Sequence, residues 1–271
     1  MCVTCGCSDS GETKITNLEK NQVAHYHTHT LADGTVIRHE HDETPHLHGK
    51  IHNTTINLEQ DILAKNNLIA AQNRGWLNGR NILALNLMSS PGAGKTSLLT
   101  RTINDLKQQL TISVIEGDQE TANDAEKIQQ TGCKVIQINT GTGCHLDASM
   151  IEQGLKQLNP PLNSVVMIEN VGNLVCPALF DLGEQAKVVI LSVTEGEDKP
   201  VKYPHMFRAS QMMILTKIDL LPYVQFDLQK CIAYAKQVNP EIEVLQVSVT
   251  MGIGLATWYS WLNKKVGNSV L

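Results

Sequence analysis

The chain lacks a basic excess. Its 271 residues carry 22 Lys and Arg against 27 Asp and Glu, a net charge of −5, which argues against a nucleic-acid surface. It also lacks any run of 18 apolar residues, and its N-terminus has no apolar signal core. The expectation is therefore a soluble cytoplasmic protein with no membrane partner. Cysteine is sparse and unpaired in number: seven residues, three of them within the first seven positions. In a reducing compartment that pattern points to metal or redox chemistry rather than a disulfide framework.

Two textures divide the chain. Eight of the ten histidines lie between His25 and His52, in a polar stretch with little apolar periodicity. Residues 1–56 are expected to form a flexible Cys/His-rich tail. From residue 57 the pattern changes. Leu58, Ile62, Ile69 and Trp76 repeat as one face of a leading helix over 57–78, since 18 residues make five turns. Asn57 with Gln60 resembles a capping box, and Gly75 and Gly79 mark the helix end.

Beyond it, apolar strands near 82–88, 111–116, 134–139, 164–169, 187–192, 211–216 and 243–248 alternate with helices. The helices fall near 95–108, 121–131, 146–158, 201–208, 226–237 and 253–265. This predicts an α/β domain over 57–271, a parallel sheet covered on both faces. Ligands of such sheets sit at the strands' C-terminal ends.

Directly after the first of these strands stands Ser89-Ser90-Pro91-Gly92-Ala93-Gly94-Lys95-Thr96. It is a glycine-rich turn opening a helix, the P-loop arrangement, with Ser89 where the pattern has its first glycine. Backbone N–H groups of Ser90, Gly92, Ala93, Gly94 and Ser97 would cradle phosphates at the helix N-terminus. Lys95 would reach the β- and γ-phosphates, and Thr96 would hold Mg²⁺. A second signal is Thr216-Lys217-Ile218-Asp219 at a strand end. The Asp219 carboxylate can accept two hydrogen bonds from guanine, a donor pair that adenine lacks. The stem of Lys217 can lie along the base. Ser248 and Val249, closing the last strand, are placed to back the base. Together these predict a GTPase binding GTP or GDP.

Acids close two further strands, in Glu116-Gly117-Asp118 and Glu169-Asn170-Val171-Gly172. Asp118 and Glu169 either contact Mg²⁺, a cation that prefers hard oxygen ligands, or cap the helices that follow. The Gly172 N–H can meet a γ-phosphate and so sense GTP against GDP.

Soft ligands occur in two sets. Cys2, Cys5 and Cys7 can converge on Ni²⁺ or Zn²⁺, or remain redox-sensitive thiols. Cys144-His145 and Cys176 fall in two loops at the same sheet edge and can supply three ligands to a second site. A two-fold partner chain could complete that site. The His-rich tract is either a loose metal buffer or a solvated linker. Cys133 and Cys231 are expected to be structural.

The joined motifs C-x-x-C-G-C at 2–7, "LEQDILAKNN" at 58–67, "SSPGAGKT", "EGDQET", "NTGTGCHLD", "IENVGNLVCPA" and "LTKIDLLP" resemble the HypB family, the nickel-incorporation GTPases of nickel–iron hydrogenase maturation. The resemblance spans essentially the whole chain. It implies a P-loop GTPase domain of the SIMIBI type behind a metal-binding tail, and slow hydrolysis of GTP to GDP and phosphate. It implies a homodimer formed with GTP. It further implies nickel transfer to a hydrogenase large-subunit precursor alongside a partner nickel metallochaperone. A tight nickel site would lie at Cys2, Cys5 and Cys7, and a nickel or zinc site at Cys144, His145 and Cys176. Ser248-Val249-Thr250 departs from the Ser-Ala-Lys common in guanine loops.

Overall fold

The computed structural model describes residues 15–16, 23–24, 26–30, 36–40, 49–118, 123–141 and 143–268, with side chains from 61 to 267 within those ranges. The chain divides into two compact units, residues 1–61 and 62–271. In the first, β1 (Ile15–Thr16) pairs antiparallel with β2 (Val23–Ala24), and β3 (Tyr26–Thr30) with β4 (Val36–Glu40).

The helix α1 runs Gly49–Gly79, longer than the expected 57–78, so Asn57 lies inside it rather than at its N-cap. The expected apolar face is also rotated. Ile62 and Trp76 are 41% and 38% exposed, while Asn66, Ala70, Asn73 and Leu77 are buried. That 4–3–4 spacing is one helical stripe. Two of its members are amides, which a hydrophobic pattern does not count. Each is satisfied by the backbone it covers: Asn66 Nδ2 donates to Asp181 O at 2.8 Å, and Asn73 Nδ2 to Ala148 O at 2.8 Å.

The second unit is a seven-stranded, all-parallel sheet. Its strands are β5 (Leu83–Ser89), β6 (Ile112–Asp118), β7 (Lys134–Asn139), β8 (Val165–Glu169), β9 (Ala186–Ser192), β10 (Met212–Thr216) and β11 (Glu243–Gln246), in the order β11-β10-β9-β5-β8-β6-β7. Strands β5, β8 and β10 are buried at every position, as near-continuous apolar runs require when helices cover both faces. The longer crossovers are α2 (Lys95–Leu106), α3 (Asn123–Gln129) and α4 (Ala148–Leu158). Short helices α5 (Cys176–Leu179), α6 (Lys199–Lys202) and α7 (Pro204–Ala209) follow, then α8 (Leu228–Val238) and α9 (Leu255–Asn268).

Alternate residues of β5 feed opposite cores. Leu83, Leu85 and Leu87 pack with Leu98 and Ile103 of α2 and with Trp258 of α9. Ala84 packs with Leu77 of α1 and with Ile151 and Leu155 of α4. The helix expected over 201–208 is two helices, because Pro204 cannot donate into a continuing turn and starts α7 anew. The sequence pattern also overlooked the four-residue α5. Strand order reverses at β5, with β8 on one side and β9 on the other. The crevice above β5 is therefore the topological switch point where such sheets bind ligands.

Candidate nucleotide and metal sites

The P-loop leaves β5 at Ser89 and enters α2 at Lys95, so it arches over that switch point. Gly92 and Gly94 take positive φ. Ser89, standing in the pattern's first glycine position, is fully buried; its Oγ receives a hydrogen bond from Lys95 Nζ at 2.8 Å. Lys95 is only 8% exposed. Burial lowers its pKa, opposed by the neighbouring carboxylates of Glu169, Asp124, Glu116 and Glu195. The serine hydroxyl thus holds the lysine along the loop.

Thr96 and Glu169 meet: Thr96 Oγ1 donates to Glu169 Oε1 at 2.7 Å. Glu169 is in register with Glu116 across β8 and β6. Both are buried, and each has one carboxylate oxygen, Oε2, without a hydrogen-bond partner. Burial pushes the Glu116 carboxyl up to about 8, helped by the charges of Glu169, Asp118 and Asp124. Burial likewise raises Glu169, while Lys95 and the Thr96 hydroxyl pull it down. Unpaired buried carboxylate oxygens are costly. Beside a threonine hydroxyl at a phosphate loop they form the hard-oxygen donor set that Mg²⁺ takes. Asp118 closes β6 half-buried, next to this group. Neither it nor Glu169 caps a described helix. Glu116 belongs to this set by geometry, although the sequence assigned it no role. A glutamate at a central, otherwise apolar strand position was the available signal.

Gly172 presses on the P-loop. A Cβ there would lie 3.0 Å from Pro91 Cγ and 3.1 Å from Pro91 N, so the Glu169–Gly172 loop and the P-loop touch with no side chain between them. On the other flank Thr216 Oγ1 donates to Ala93 O at 2.6 Å and Lys217 Nζ to Gly92 O at 2.8 Å. Lys217 takes φ 58, turning the chain so that Asp219 falls in the first turn of a 3-10 helix over Ile218–Tyr223. Ser248 is buried and its Oγ accepts from Met251 N at 3.1 Å. Val249 O accepts from Arg101 Nη1 at 3.1 Å. The loop after β11 is therefore a closed turn beside Ile218, whose N–H reaches Val247 O at 3.4 Å. Ser90 donates from its hydroxyl to the Glu195 carboxylate, a brace that local spacing did not reveal. Ser97 is exposed on the first turn of α2.

The second constellation closes 32 residues of chain. Cys144 Sγ lies 3.0 Å from Cys176 Sγ and 3.7 Å from His145 Nδ1. One ligand atom from each of Cys144, His145 and Cys176 falls within 4.8 Å of the others. Cys176 is fully buried at the first residue of α5. The His145 ring stacks on Phe180 with centroids 3.9 Å apart. Burial lowers the His145 pKa, opposed by Asp147, which favours the neutral, metal-binding imidazole. The helix expected near 146–158 begins at Ala148, because Asp147 is the N-cap of α4, accepting from Met150 N at 2.8 Å. Two thiols and an imidazole suit Ni²⁺ or Zn²⁺, and three ligands leave room for a fourth.

Among the described residues, neither Cys133 nor Cys231 joins a cluster of metal-ligating side chains. Burial pushes their thiols up to about 11 and about 12, and Cys133 Sγ points at Ile112 O at 3.1 Å. Cys2, Cys5 and Cys7 and the side chains of the His-rich tract lie outside the described residues.

Residues 83–246 match the family model described as CobW/HypB/UreG, nucleotide-binding domain. The hydrogenase maturation factor HypB of Escherichia coli is 47% identical over 97% of this chain and 98% of its own. Two solved structures align over 75% of this chain, each with a TM-score of 0.71. One is the hydrogenase maturation factor HypB of Archaeoglobus fulgidus, 38% identical and covered in full. The other is HypB of Helicobacter pylori in complex with nickel, 36% identical and 96% covered.

Proposed function

The chain belongs to the HypB family of CobW/HypB/UreG nucleotide-binding domains, and from that premise we propose that it is a GTP-hydrolysing nickel chaperone of nickel–iron hydrogenase maturation. The supporting observation is the sharing of loops. The loop after β8 carries Gly172 against the P-loop at Pro91, and Cys176 of the metal cluster four residues later.

In this reading the phosphates of GTP seat on the backbone of Ser90–Thr96 with Lys95 beside them, and Ser97 at the helix start. Asp219 takes the guanine edge, Lys217 lies along the base, and Ser248-Val249 stand behind it. Thr96, Asp118 and Glu169 would hold Mg²⁺, which when bound offsets phosphate charge as the leaving group departs. Lys95 stabilises the same charge from a dry site, where a fixed cation counts for more than in water.

Nickel is the cargo. Cys144, His145 and Cys176 hold it, a second copy of the chain completes its coordination, and Zn²⁺ competes for the same donors. Cys2, Cys5 and Cys7 form the separate tight site of the tail. GTP favours the homodimer and draws the Gly172 loop onto the phosphate. Slow hydrolysis releases that loop, changes the position of Cys176 and favours transfer. The partner nickel metallochaperone lies upstream, and the hydrogenase large-subunit precursor downstream. No described helix is long and apolar enough to cross a membrane, in keeping with a cytoplasmic site of action.

A ligand shifts such a switch only by its differential affinity for the two states. The test is a Ni²⁺ titration of the protein and of a Cys2/Cys5/Cys7→Ala variant, each with GDP and with a non-hydrolysable GTP analogue. Loss of the tight site in the variant, with the remaining site responding to nucleotide, is expected. Tight binding that survives and ignores nucleotide would leave a storage protein whose nucleotide site serves another end.

A further inference from the structure

Between the nucleotide cradle and the metal cluster runs a chain of buried side-chain amides. Asn170, 1% exposed, follows Glu169 directly. Its Oδ1 accepts from Val171 N at 3.0 Å and from Leu146 N at 3.2 Å. Its Nδ2 donates to Asn86 Oδ1 at 3.1 Å. Asn86, fully buried in β5, donates in turn to Glu184 Oε1 at 3.2 Å, and Glu184 Oε2 accepts from Leu182 N at 2.7 Å. From Leu182 the path returns through α1. Asn73 Nδ2 bridges Leu182 O and Ala148 O, and Asn66 Oδ1 accepts from Ala148 N at 2.9 Å.

Thr140 ties the start of the metal loop to Asp118 O at 2.9 Å, and two further ties lie beyond Cys144-His145. Behind, Ala148 is tied by both its N–H and its carbonyl to two asparagines of α1. In front, Leu146, next to His145 and two residues from Cys144, is tied to Asn170. The Leu146 side chain also fills the space beside Gly117, where a Cβ would lie 2.7 Å from Leu146 Cδ1. Leu146 is therefore touched by both segments that bear the magnesium-type acids, Glu116–Asp118 and Glu169–Gly172. With Ala148 anchored, a displacement passed to Leu146 is shared between Asp147 and the Cys144-His145 turn.

We propose that Asn170 is the positioning residue that transmits the state of the Glu169–Gly172 loop to the metal cluster. Its side-chain carbonyl holds the Leu146 amide, and its side-chain amide registers both on β5. A loop that follows the γ-phosphate carries the Asn170 acceptor with it and moves the Cys144-His145 turn against Cys176. Because Val171 N and Leu146 N share one acceptor oxygen, neither loop shifts alone. The inference rests on the nucleotide-dependent metal affinity proposed above.

The test uses the full chain in a Cys2/Cys5/Cys7→Ala background, so that only the domain site is read. Ni²⁺ affinity is measured with GDP and with a non-hydrolysable GTP analogue; their ratio is the coupling, expected at about tenfold or more. Asn170→Ala should bring the ratio to within about twofold of unity, with nucleotide affinity in the absence of nickel changed by less than about threefold. Asn170→Asp keeps the acceptor for Leu146 N but not the donor to Asn86, and its ratio should fall between. Should the alanine variant not fold, a lowered ratio in Asn170→Asp supports the proposal, and an unchanged one overturns it. A purely structural role would weaken both affinities and leave the ratio intact. A parent ratio of one removes the switch of the preceding section and this inference with it. A parent ratio of ten retained in the asparagine variants removes this inference alone.

Discussion

The nucleotide cradle and the metal cluster lie on one edge of one sheet, yet they are held by different means. The cradle is braced from distant strands by polar side chains. Lys217 and Thr216 of β10 and its turn reach Gly92 and Ala93, and Ser90 reaches Glu195. Glu116 and Glu169 each keep one buried oxygen unpaired. The cluster's loop is held by the buried amides of Asn66, Asn73 and Asn170, and its ligands are packed, with Cys176 buried in the fold and His145 stacked on Phe180. The first environment suits hard, multiply charged oxygen ligands, and the second a borderline metal with sulfur and nitrogen donors. The two donor sets therefore suit different ions although they stand on adjacent loops.

Separate disablement is the strongest challenge to that contrast. Lys95→Ala should lower the GTP hydrolysis rate by about 100- to 1000-fold, the range for a lost charge-stabilising donor. Ni²⁺ affinity of the nucleotide-free domain should change little. Single-turnover phosphate release alongside a nickel titration checks both. A large loss of nickel binding would mean that the cradle and cluster are one site. The converse variant, Cys176→Ala, removes one of three donors and should weaken domain-site nickel binding by about 100-fold, judged against the 10- to 100-fold that outer-shell losses already cost. GDP affinity should stay within about threefold.

Gly117→Ala sharpens the comparison by wedging the two regions apart. Its Cβ would fall 2.7–2.9 Å from three Leu146 side-chain atoms, and overpacking of this kind costs about 1–3 kcal/mol. A thermal melt should show a drop of about 2–4 °C per kcal/mol for a domain of this size. Both ligand affinities should fall together, unlike either preceding variant.

The smallest effect concerns the cradle's acids. Glu116 titrates near 8 in the fold against an ordinary value of 4.5. Between those values the folded protein keeps a proton that the unfolded chain has lost, so stability falls as pH rises through the window. In EDTA and without nucleotide, Glu116→Gln should flatten the fall in melting temperature between about pH 5 and pH 8. A parallel fall in the variant would place the penalty elsewhere.

The P-loop was legible because its chemistry lies within a few consecutive residues, and so was the Thr216–Asp219 turn. The strands were legible because both faces of the sheet are covered, leaving long apolar runs. The α1 face was not. Its buried stripe contains Asn66 and Asn73, whose burial depends on backbone groups about 75 to 115 residues away. Asn86 and Asn170 were invisible for the same reason. The start of α4 was placed too early because Asp147, not the preceding Gly-rich turn, supplies the cap.

By itself the sequence determined the order of elements, the phosphate loop and the kinds of donor atom available, since each depends on neighbouring residues and local backbone sterics. Only the tertiary structure decided which donors meet. Glu116 faces Glu169 because β8 inserts between β5 and β6, and Cys144 reaches Cys176 because two crossover loops rise at the same edge. Those meetings depend on strand order and register, which are set by burial over the whole sheet and by no short stretch of chain.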